Sequence, residues 1–150
     1  MKMKYKLTNN KKEYLGKTLF QIEATADFGI VKKGESGGWI EKESNLSQYG
    51  NAWVSGNARV SGNAEVSGNA WVSGNAEVSG NARVYGNARV YDDAWVYDDA
   101  EVSGNAWVSG NARVYGKLKL TVGFFFGFLK KDEKLEEIET EEGNKLLWKK

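Results

Sequence analysis

The feature that most constrains this chain is a six-residue repeat that runs without interruption from Gly50 to Tyr115. Eleven hexads share one pattern: glycine or aspartate, asparagine or aspartate, alanine, a variable residue, valine, and serine or tyrosine. Alanine and valine alternate with the variable residue, which is the period of a strand with one buried face. The Gly-Asn step predicts a corner, because both residues tolerate positive φ. Six residues cannot bury an apolar face alone, so the hexads must stack into a solenoid.

The pattern resembles the hexapeptide-repeat superfamily of left-handed parallel β-helices. In that motif an aliphatic residue is followed four places on by a small residue, as Val54 is by Ala58 and Val60 by Ala64. The resemblance implies an all-β fold class, a left-handed parallel β-helix (triangular β-solenoid). The flanking residues predict small β caps at both ends. The resemblance also implies coils of about 18 residues, each made of three hexads. Members of the superfamily often form trimers.

We predict three parts in one folding unit: an N-terminal β cap at 1–37, the β-helix at 38–127 and a C-terminal cap at 128–150. For the last part a hairpin is favoured over a short helix, because Glu-Glu-Gly-Asn separates two short segments. The expected features of the first cap are strands at 4–7, 18–24 and 30–31, with turns at 9–10 and 34–35.

The hexad phase extends beyond the regular repeat. Ile40 and Leu46 fall in phase with the alanine column, which Leu118 and Phe124 continue at the other end. Leu120 and Phe126 continue the valine column in the same way. These larger residues are expected to plug the two open ends of a narrow interior, where backbone groups would otherwise be unpaired.

Composition excludes several classes of function. The net charge is +1, so no global field favours nucleic acid or an anionic membrane. The chain opens without an apolar secretory segment, and the longest apolar run, 122–129, is too short to span a bilayer. We therefore expect a cytoplasmic protein. The opening YKLT…DFG…KKGE…GGWIE, followed by GNARV hexads, is similar to a phage and prophage group of non-catalytic proteins.

Catalysis is not expected. The chain has no histidine and no cysteine, so it lacks the usual general base of the superfamily's acyltransferases, the histidine zinc ligands of its carbonic anhydrases and any thiol nucleophile. No insertion between hexads offers a loop for an acyl donor. No cofactor or metal is predicted.

With three hexads per coil, the variable residues form three outward columns. The first column contains Trp53, Trp71, Arg89 and Trp107. A bare apolar face usually marks a contact, and Trp and Arg dominate binding hot spots. Three interpretations stay open: a structural ladder with Arg89 sandwiched between two tryptophans, a protein interface that includes self-trimerisation, or a platform for sugar stacking.

The other two columns have different characters. The second contains Arg59, Glu77, Trp95 and Arg113, and the third contains Glu65, Arg83, Glu101 and Lys119. Because the third column alternates in sign, we interpret that face as solvated and self-paired.

The middle hexads depart from the repeat. Tyrosine replaces serine at Tyr85, Tyr91 and Tyr97, and Asp92–Asp93 and Asp98–Asp99 replace Gly-Asn. The aspartates are either plain corner residues or part of an acidic, tyrosine-lined band for a basic partner. Two adjacent carboxylates are too few ligands for Ca²⁺. The candidate binding residues are Trp53, Trp71, Arg89, Trp107, Trp95, Tyr91, Tyr97, Asp92, Asp93, Asp98 and Asp99.

The sequence therefore predicts a non-catalytic binding protein that acts by protein–protein contact through a rigid solenoid surface. With the phage resemblance, an inhibitor of a host defence complex such as a CRISPR effector is one form of this function. The alternative is a structural protein that self-associates, as a trimer for instance, and a relic of a hexapeptide-type acyltransferase is a remote one. A protein partner, host or self, is expected, with no nucleic acid and no membrane.

Overall fold

The computed structural model describes residues 3–127, 135–139 and 145–149, with side chains through residue 125. It is a β-solenoid of stacked parallel coils, and apart from one 3-10 turn at Glu43–Asn45 the regular structure in these ranges is β. Within the same ranges, no helix is long and apolar enough to cross a membrane. The predicted all-β solenoid is confirmed.

The strands of the N-terminal part are β1 (Tyr5–Tyr14), β2 (Lys17–Ala24) and β3 (Ser36–Ile40). The strands of the coils are β4 (Trp53–Val54), β5 (Arg59–Val60), β6 (Glu65–Val66), β7 (Trp71–Val72), β8 (Glu77–Val78), β9 (Arg83–Val84), β10 (Arg89–Val90), β11 (Trp95–Val96), β12 (Glu101–Val102), β13 (Trp107–Gly110), β14 (Arg113–Val114), β15 (Lys119–Leu120) and β16 (Phe124–Gly127). At the C-terminal end, β17 (Leu135–Glu139) and β18 (Lys145–Lys149) pair antiparallel, as a hairpin would.

The coils form three faces, each one sheet. Face 1 is a five-stranded sheet in the order β16-β13-β10-β7-β4. Face 2 belongs to a seven-stranded sheet in the order β1-β2-β3-β5-β8-β11-β14, so the antiparallel strands β1 and β2 extend it at its N-terminal edge. Face 3 is a four-stranded sheet in the order β15-β12-β9-β6. We call β1, β2 and the residues up to 35 the cap.

The interior of the solenoid is narrow and fully apolar. Every alanine and valine of the eleven hexads is buried, and none is more than 6% exposed. Coils are joined by regular backbone bonds, as from the Glu77 N–H to the Ala94 carbonyl at 3.0 Å. Corner glycines complete the stack: Gly74 has φ +64°, and a Cβ there would lie 2.9 Å from the Asp92 nitrogen. Since L side chains disfavour this φ, glycine is the easiest corner residue.

The first coil is out of the expected phase. Ile40 pairs with Val60 and Leu46 with Val66, so both lie in the valine column, and their predicted place in the alanine column is wrong. The physical reason is a longer corner. Eight positions separate Leu46 from Val54, whereas six separate successive valines of the repeat.

The last described coil is also out of the expected phase, because one of its corners is shorter than in the repeat. Leu118 and Leu120 are buried as predicted, but Phe124 pairs with Trp107 and Phe125 with Val108. Gly123, with φ +110°, accepts the Trp107 N–H where an alanine carbonyl serves elsewhere, so this corner is one residue shorter. Phe124 therefore points outward and is 70% exposed. The predicted plugging role of Phe124, and the place of Phe126 in the valine column, are wrong.

The first strand of the cap is longer than predicted. The turn expected at 9–10 is wrong, because β1 continues through it with a bulge between Leu7 and Lys11. The Asn10 side-chain amide donates to the Gln21 side chain at 3.1 Å, which holds the bulge in the sheet. The chain reverses instead at Leu15 and Gly16, whose φ values are 49° and 78°.

Two polar side chains close the open N-terminal edge of the coils. The Lys4 ammonium donates to the carbonyls of Tyr49, Gly50 and Ala52, at 3.3, 3.3 and 2.8 Å. The Asn45 amide donates to the carbonyls of residues 62 and 64, at 3.1 and 2.9 Å. Lys4 thus supplies donors to carbonyls of the first coil, and Asn45 supplies donors to carbonyls of the next coil, beside the 3-10 turn. Burial lowers the pKa of Lys4 to about 8.

Candidate functional site

The predicted outward columns are confirmed by the strand register. On face 1, Trp53 pairs with Trp71, Trp71 with Arg89, and Arg89 with Trp107. The second and third columns have the register expected from 18-residue coils. Two members had been missed: Phe124 continues the first column, and Trp39 begins the second, next to Arg59. Both follow the irregular corners, which shift the phase.

The cap covers the first tryptophan of face 1. Trp53 is 0% exposed, and its ring meets Phe28 edge-on at 5.3 Å and Tyr5 at 6.4 Å between centroids. Gly37 lies so close that a Cβ there would be 2.7 Å from the indole Cζ2. The expectation that Trp53 stands bare on a binding face is therefore wrong, because the cap makes it a core residue.

The cap also covers the first half of face 2. The Tyr14 hydroxyl donates to the Glu77 carboxylate at 3.3 Å, and the Arg59 guanidinium lies 4.3 Å from the centre of the Tyr14 ring. Arg59 and Glu77 themselves form an ion pair at 3.9 Å. Glu77 is buried as a result. Within the described residues, the hydrogen bonds and ring contacts of the cap on face 2 reach as far as Glu77.

The second half of face 1 is open and aromatic. Trp71, Tyr91 and Trp107 are half-buried, and Arg89 is exposed. Tyr91 meets Trp107 edge-on at 5.9 Å, and Phe124 meets it edge-on at 5.3 Å on the next coil. The Arg89 guanidinium lies 5.2 Å from the Trp107 centroid, so the Trp107 half of the predicted cation–π sandwich is present.

The second half of face 2 repeats this arrangement. Trp95 meets Tyr97 edge-on at 6.3 Å, and the Arg113 guanidinium lies 4.9 Å from a Trp95 ring. Tyr115, which the sequence analysis did not single out, stacks on Tyr97 at 5.3 Å with an interplanar angle of 11°. Burial raises the pKa of the Tyr97 phenol above its ordinary value.

The four aspartates are exposed corner residues of these two open halves. Asp92 and Asp98 both adopt φ +57°, in place of glycine. Their carboxylates accept the backbone N–H groups of Gly110 and Gly116, each at 3.2 Å.

Asp93 and Asp99 continue the asparagine ladders of the corners. They accept the side-chain amides of Asn75 and Asn81 at 3.3 and 3.1 Å. The part of the chain that the structure describes contains no group of three or more residues arranged to hold a metal ion. The corner interpretation of the aspartates thus has direct support, and it leaves their remaining acceptor sites facing solvent.

Face 3 differs from the open halves in that its charged residues form ion pairs. On face 3, Glu65 pairs with Arg83 at 3.9 Å and Glu101 with Lys119 at 3.5 Å, as the alternating column predicts. By contrast, neither Arg89 nor Arg113 forms an ion pair within the described residues. Both lie against tryptophan rings instead.

A shallow groove of about 360 Å³ lies on open face 1. Its lining residues are Trp71, Ser73, Gly74, Arg89, Tyr91, Asp92 and Trp107. A second groove, of about 380 Å³, shares Trp71 and Arg89 and reaches Ile30 of the cap, which is 77% exposed. We call the groove residues together with Trp95, Tyr97, Arg113, Tyr115, Phe124 and the four aspartates the open band.

Comparison with known proteins agrees with the fold. Residues 52–68, 58–74, 76–92 and 82–98 match a family model described as the YdcK beta solenoid repeat. A stretch of 36 residues is 50% identical to a protein named uncharacterized acetyltransferase YdcK, from Escherichia coli strain K12. That match covers 24% of this chain and 11% of the E. coli protein. The chain is thus a β-solenoid of the hexapeptide-repeat type. The family-model matches lie in the repeat, so they concern the coils and not the cap.

Proposed function

We propose that this chain is a non-catalytic binding protein that contacts a partner protein through the open band. The observation that carries the proposal is the distribution of aromatic residues relative to the cap. The cap buries Trp53 and covers Arg59 and Glu77, whereas Trp95 and Trp107 remain partly exposed beside arginines that form no ion pair within the described residues. Partly exposed Trp, Tyr and Arg side chains on a rigid support are typical of binding hot spots.

The departures from the repeat support the same surface. Tyrosine and aspartate replace serine and glycine in the hexads that build the open band, at Tyr91, Asp92, Tyr97 and Asp98. A solenoid does not need these changes, because the glycine and serine of the other hexads fill the same corners. Asp92 and Asp98 also adopt a conformation that side chains disfavour, and such strain is often found at functional sites.

The chemistry of the band favours a partner with both polar and apolar groups. Aromatic rings supply apolar area, the two arginines offer donors to carboxylates, and the aspartates accept donors from a basic segment. The phage-type opening of the sequence would make a host defence complex, such as a CRISPR effector, one partner of this kind. Self-association is the alternative use of the same surface.

The proposal is tested by substitution on face 2. The double variant Trp95→Ser/Tyr97→Ser removes the aromatic centre of that face. When the variant and the wild type are immobilised in equal amounts, we expect the variant to retain at least roughly tenfold less partner protein. Glu65→Ser/Arg83→Ser on face 3 is the matched control and should retain the same amount as wild type. Circular dichroism checks that both variants fold. Equal retention by the face 2 variant and wild type would contradict the proposal.

Acyl transfer is a second candidate, favoured by the name of the E. coli protein. Against it, the match covers only 11% of the E. coli protein, and the chain has no histidine to serve as general base. Incubation with acetyl-CoA and a panel of hydroxyl and amine acceptors decides between the two. We expect no thiol release above background, and saturable release dependent on an acceptor would favour the transferase.

A further inference from the structure

The groove on face 1 contains one cation and one anion that do not pair with each other. Arg89 and Asp92 belong to the same coil and line the same groove, yet the guanidinium stacks on Trp107 and the carboxylate accepts the Gly110 N–H. On face 3, by contrast, Glu65 and Arg83 lie opposite each other on adjacent coils and do pair. The groove therefore keeps two opposite charges available on an apolar floor.

Such a surface is complementary to itself. In a two-fold contact the same patch serves on both subunits, so a residue pair across the interface occurs twice. A cation and an anion side by side on one patch meet their opposites when a second copy is turned by two-fold rotation. The net charge of +1 opposes the approach of a second copy only weakly.

We propose that a second copy of this chain occupies the groove, in a two-fold contact in which Arg89 of each copy binds Asp92 of the other. Trp71, Tyr91 and Trp107 of the two copies form the apolar centre, and the exposed Ile30 and Phe124 lie at its margins. This inference deepens the proposed function, since it names the partner for one part of the open band. It leaves Trp95, Tyr97 and Tyr115 on face 2 available to another protein.

Charge reversal tests the contact. Arg89→Asp and Asp92→Arg each place like charges across the interface twice, so each variant alone should dissociate to the monomer mass in light scattering on a sizing column. Mixed together, the two variants restore both ion pairs, because one copy carries two acids and the other two arginines. The mixture should therefore elute at twice the chain mass of 16.7 kDa, as wild type does.

Matched variants separate the contact from backbone strain. Asp98→Arg changes the same charge at the same φ of 57° on the next corner, outside the groove, and should remain a dimer. Asp92→Gly and Asp98→Gly restore the common corner residue and so should fold. Of these two, only Asp92→Gly should weaken the dimer, with a dissociation constant at least roughly tenfold higher.

The outcomes are distinct. Three results would each overturn the two-fold contact: the wild type is a monomer at every concentration, Arg89→Asp leaves the oligomer intact, or the mixture of the two variants stays monomeric. The proposed binding function is read on Trp95 and Tyr97 instead. If the wild type is a monomer and Trp95→Ser/Tyr97→Ser still abolishes partner binding, the self-contact is overturned and the proposed function stands. If the wild type is a dimer and the face 2 variant binds partner as well as wild type does, the proposed function of face 2 is overturned and the self-contact stands.

Discussion

The two halves of the solenoid are built from the same hexads and differ in what covers them. Trp53 and Trp107 occupy the same column of face 1, three coils apart, with Trp71 and Arg89 between them. Trp53 is fully buried beneath Tyr5 and Phe28, whereas Trp107 is half-buried and carries Arg89 on its ring. The comparison shows that the repeat places a side chain on a face, and the cap decides whether it becomes core or surface.

The largest effect should come from removing one tryptophan in each half. Trp53→Ala deletes a fully buried side chain, so we expect the free energy of unfolding to fall by about 3–5 kcal/mol. Trp107→Ala removes a half-buried ring and should cost about 1 kcal/mol or less. Urea denaturation of both variants measures the difference. Equal losses would mean that the cap does not set the roles of the two residues.

The pH dependence of stability should report on the cap. Burial lowers the pKa of Lys4 to about 8, against 10.5 for the unconstrained side chain. Between these values the unfolded chain binds more protons than the folded chain, so stability rises as the pH increases through this window. We expect a gain of about 1–3 kcal/mol that Lys4→Met abolishes. A wild type and a Lys4→Met variant with parallel pH profiles would show that Lys4 is not buried as a cation.

A smaller and opposite effect is expected in the open half. Asp92→Gly and Asp98→Gly relieve a left-handed backbone conformation and should each raise the free energy of unfolding by about 0.5–1 kcal/mol. The lost acceptors for Gly110 and Gly116 offset part of the gain. Thermal denaturation provides the measurement. Destabilisation by both glycine variants would mean that the aspartates were retained for folding, which would weaken the case for the open band.

The smallest effect concerns face 3, which neither the cap nor the proposed partner uses. Glu65 and Arg83 are both exposed, and their ion pair is 3.9 Å long. Glu65→Gln should therefore change stability by about 0.5 kcal/mol or less. A loss above about 1 kcal/mol in a denaturation experiment would show that face 3 contributes more than a solvated surface.

The regular repeat made most of the fold predictable. Alternation of alanine, a variable residue and valine determined the buried columns, and a constant coil length determined which outward residues are neighbours. Prediction failed where that length changes, at the corner before Trp53 and at Gly123. In both places the hexad phase gave no sign that the backbone would take a longer or shorter path.

The sequence predicted most residues of the site, but it did not predict which of them are exposed. Trp71, Arg89, Trp95 and Trp107 lie where the column analysis placed them. Burial of Trp53 depends on Tyr5 and Phe28, which lie far from it in sequence and carry no periodic signal. The outward position of Phe124 was not predicted because the corner at Gly123 is shortened. Tyr115 was overlooked although it repeats the tyrosine of the middle hexads.

Oxidative footprinting of the intact chain tests the central claim most directly, because it compares Trp53 and Trp95 in one sample. Hydroxyl radicals modify a side chain in proportion to its exposure, and mass spectrometry reads each tryptophan separately. Trp95 is preferred to Trp107 here because a second copy in the groove would shield the latter. The account predicts ready oxidation of Trp95 and protection of Trp53 until the chain unfolds. Oxidation of Trp53 as fast as Trp95 in the folded chain would contradict it.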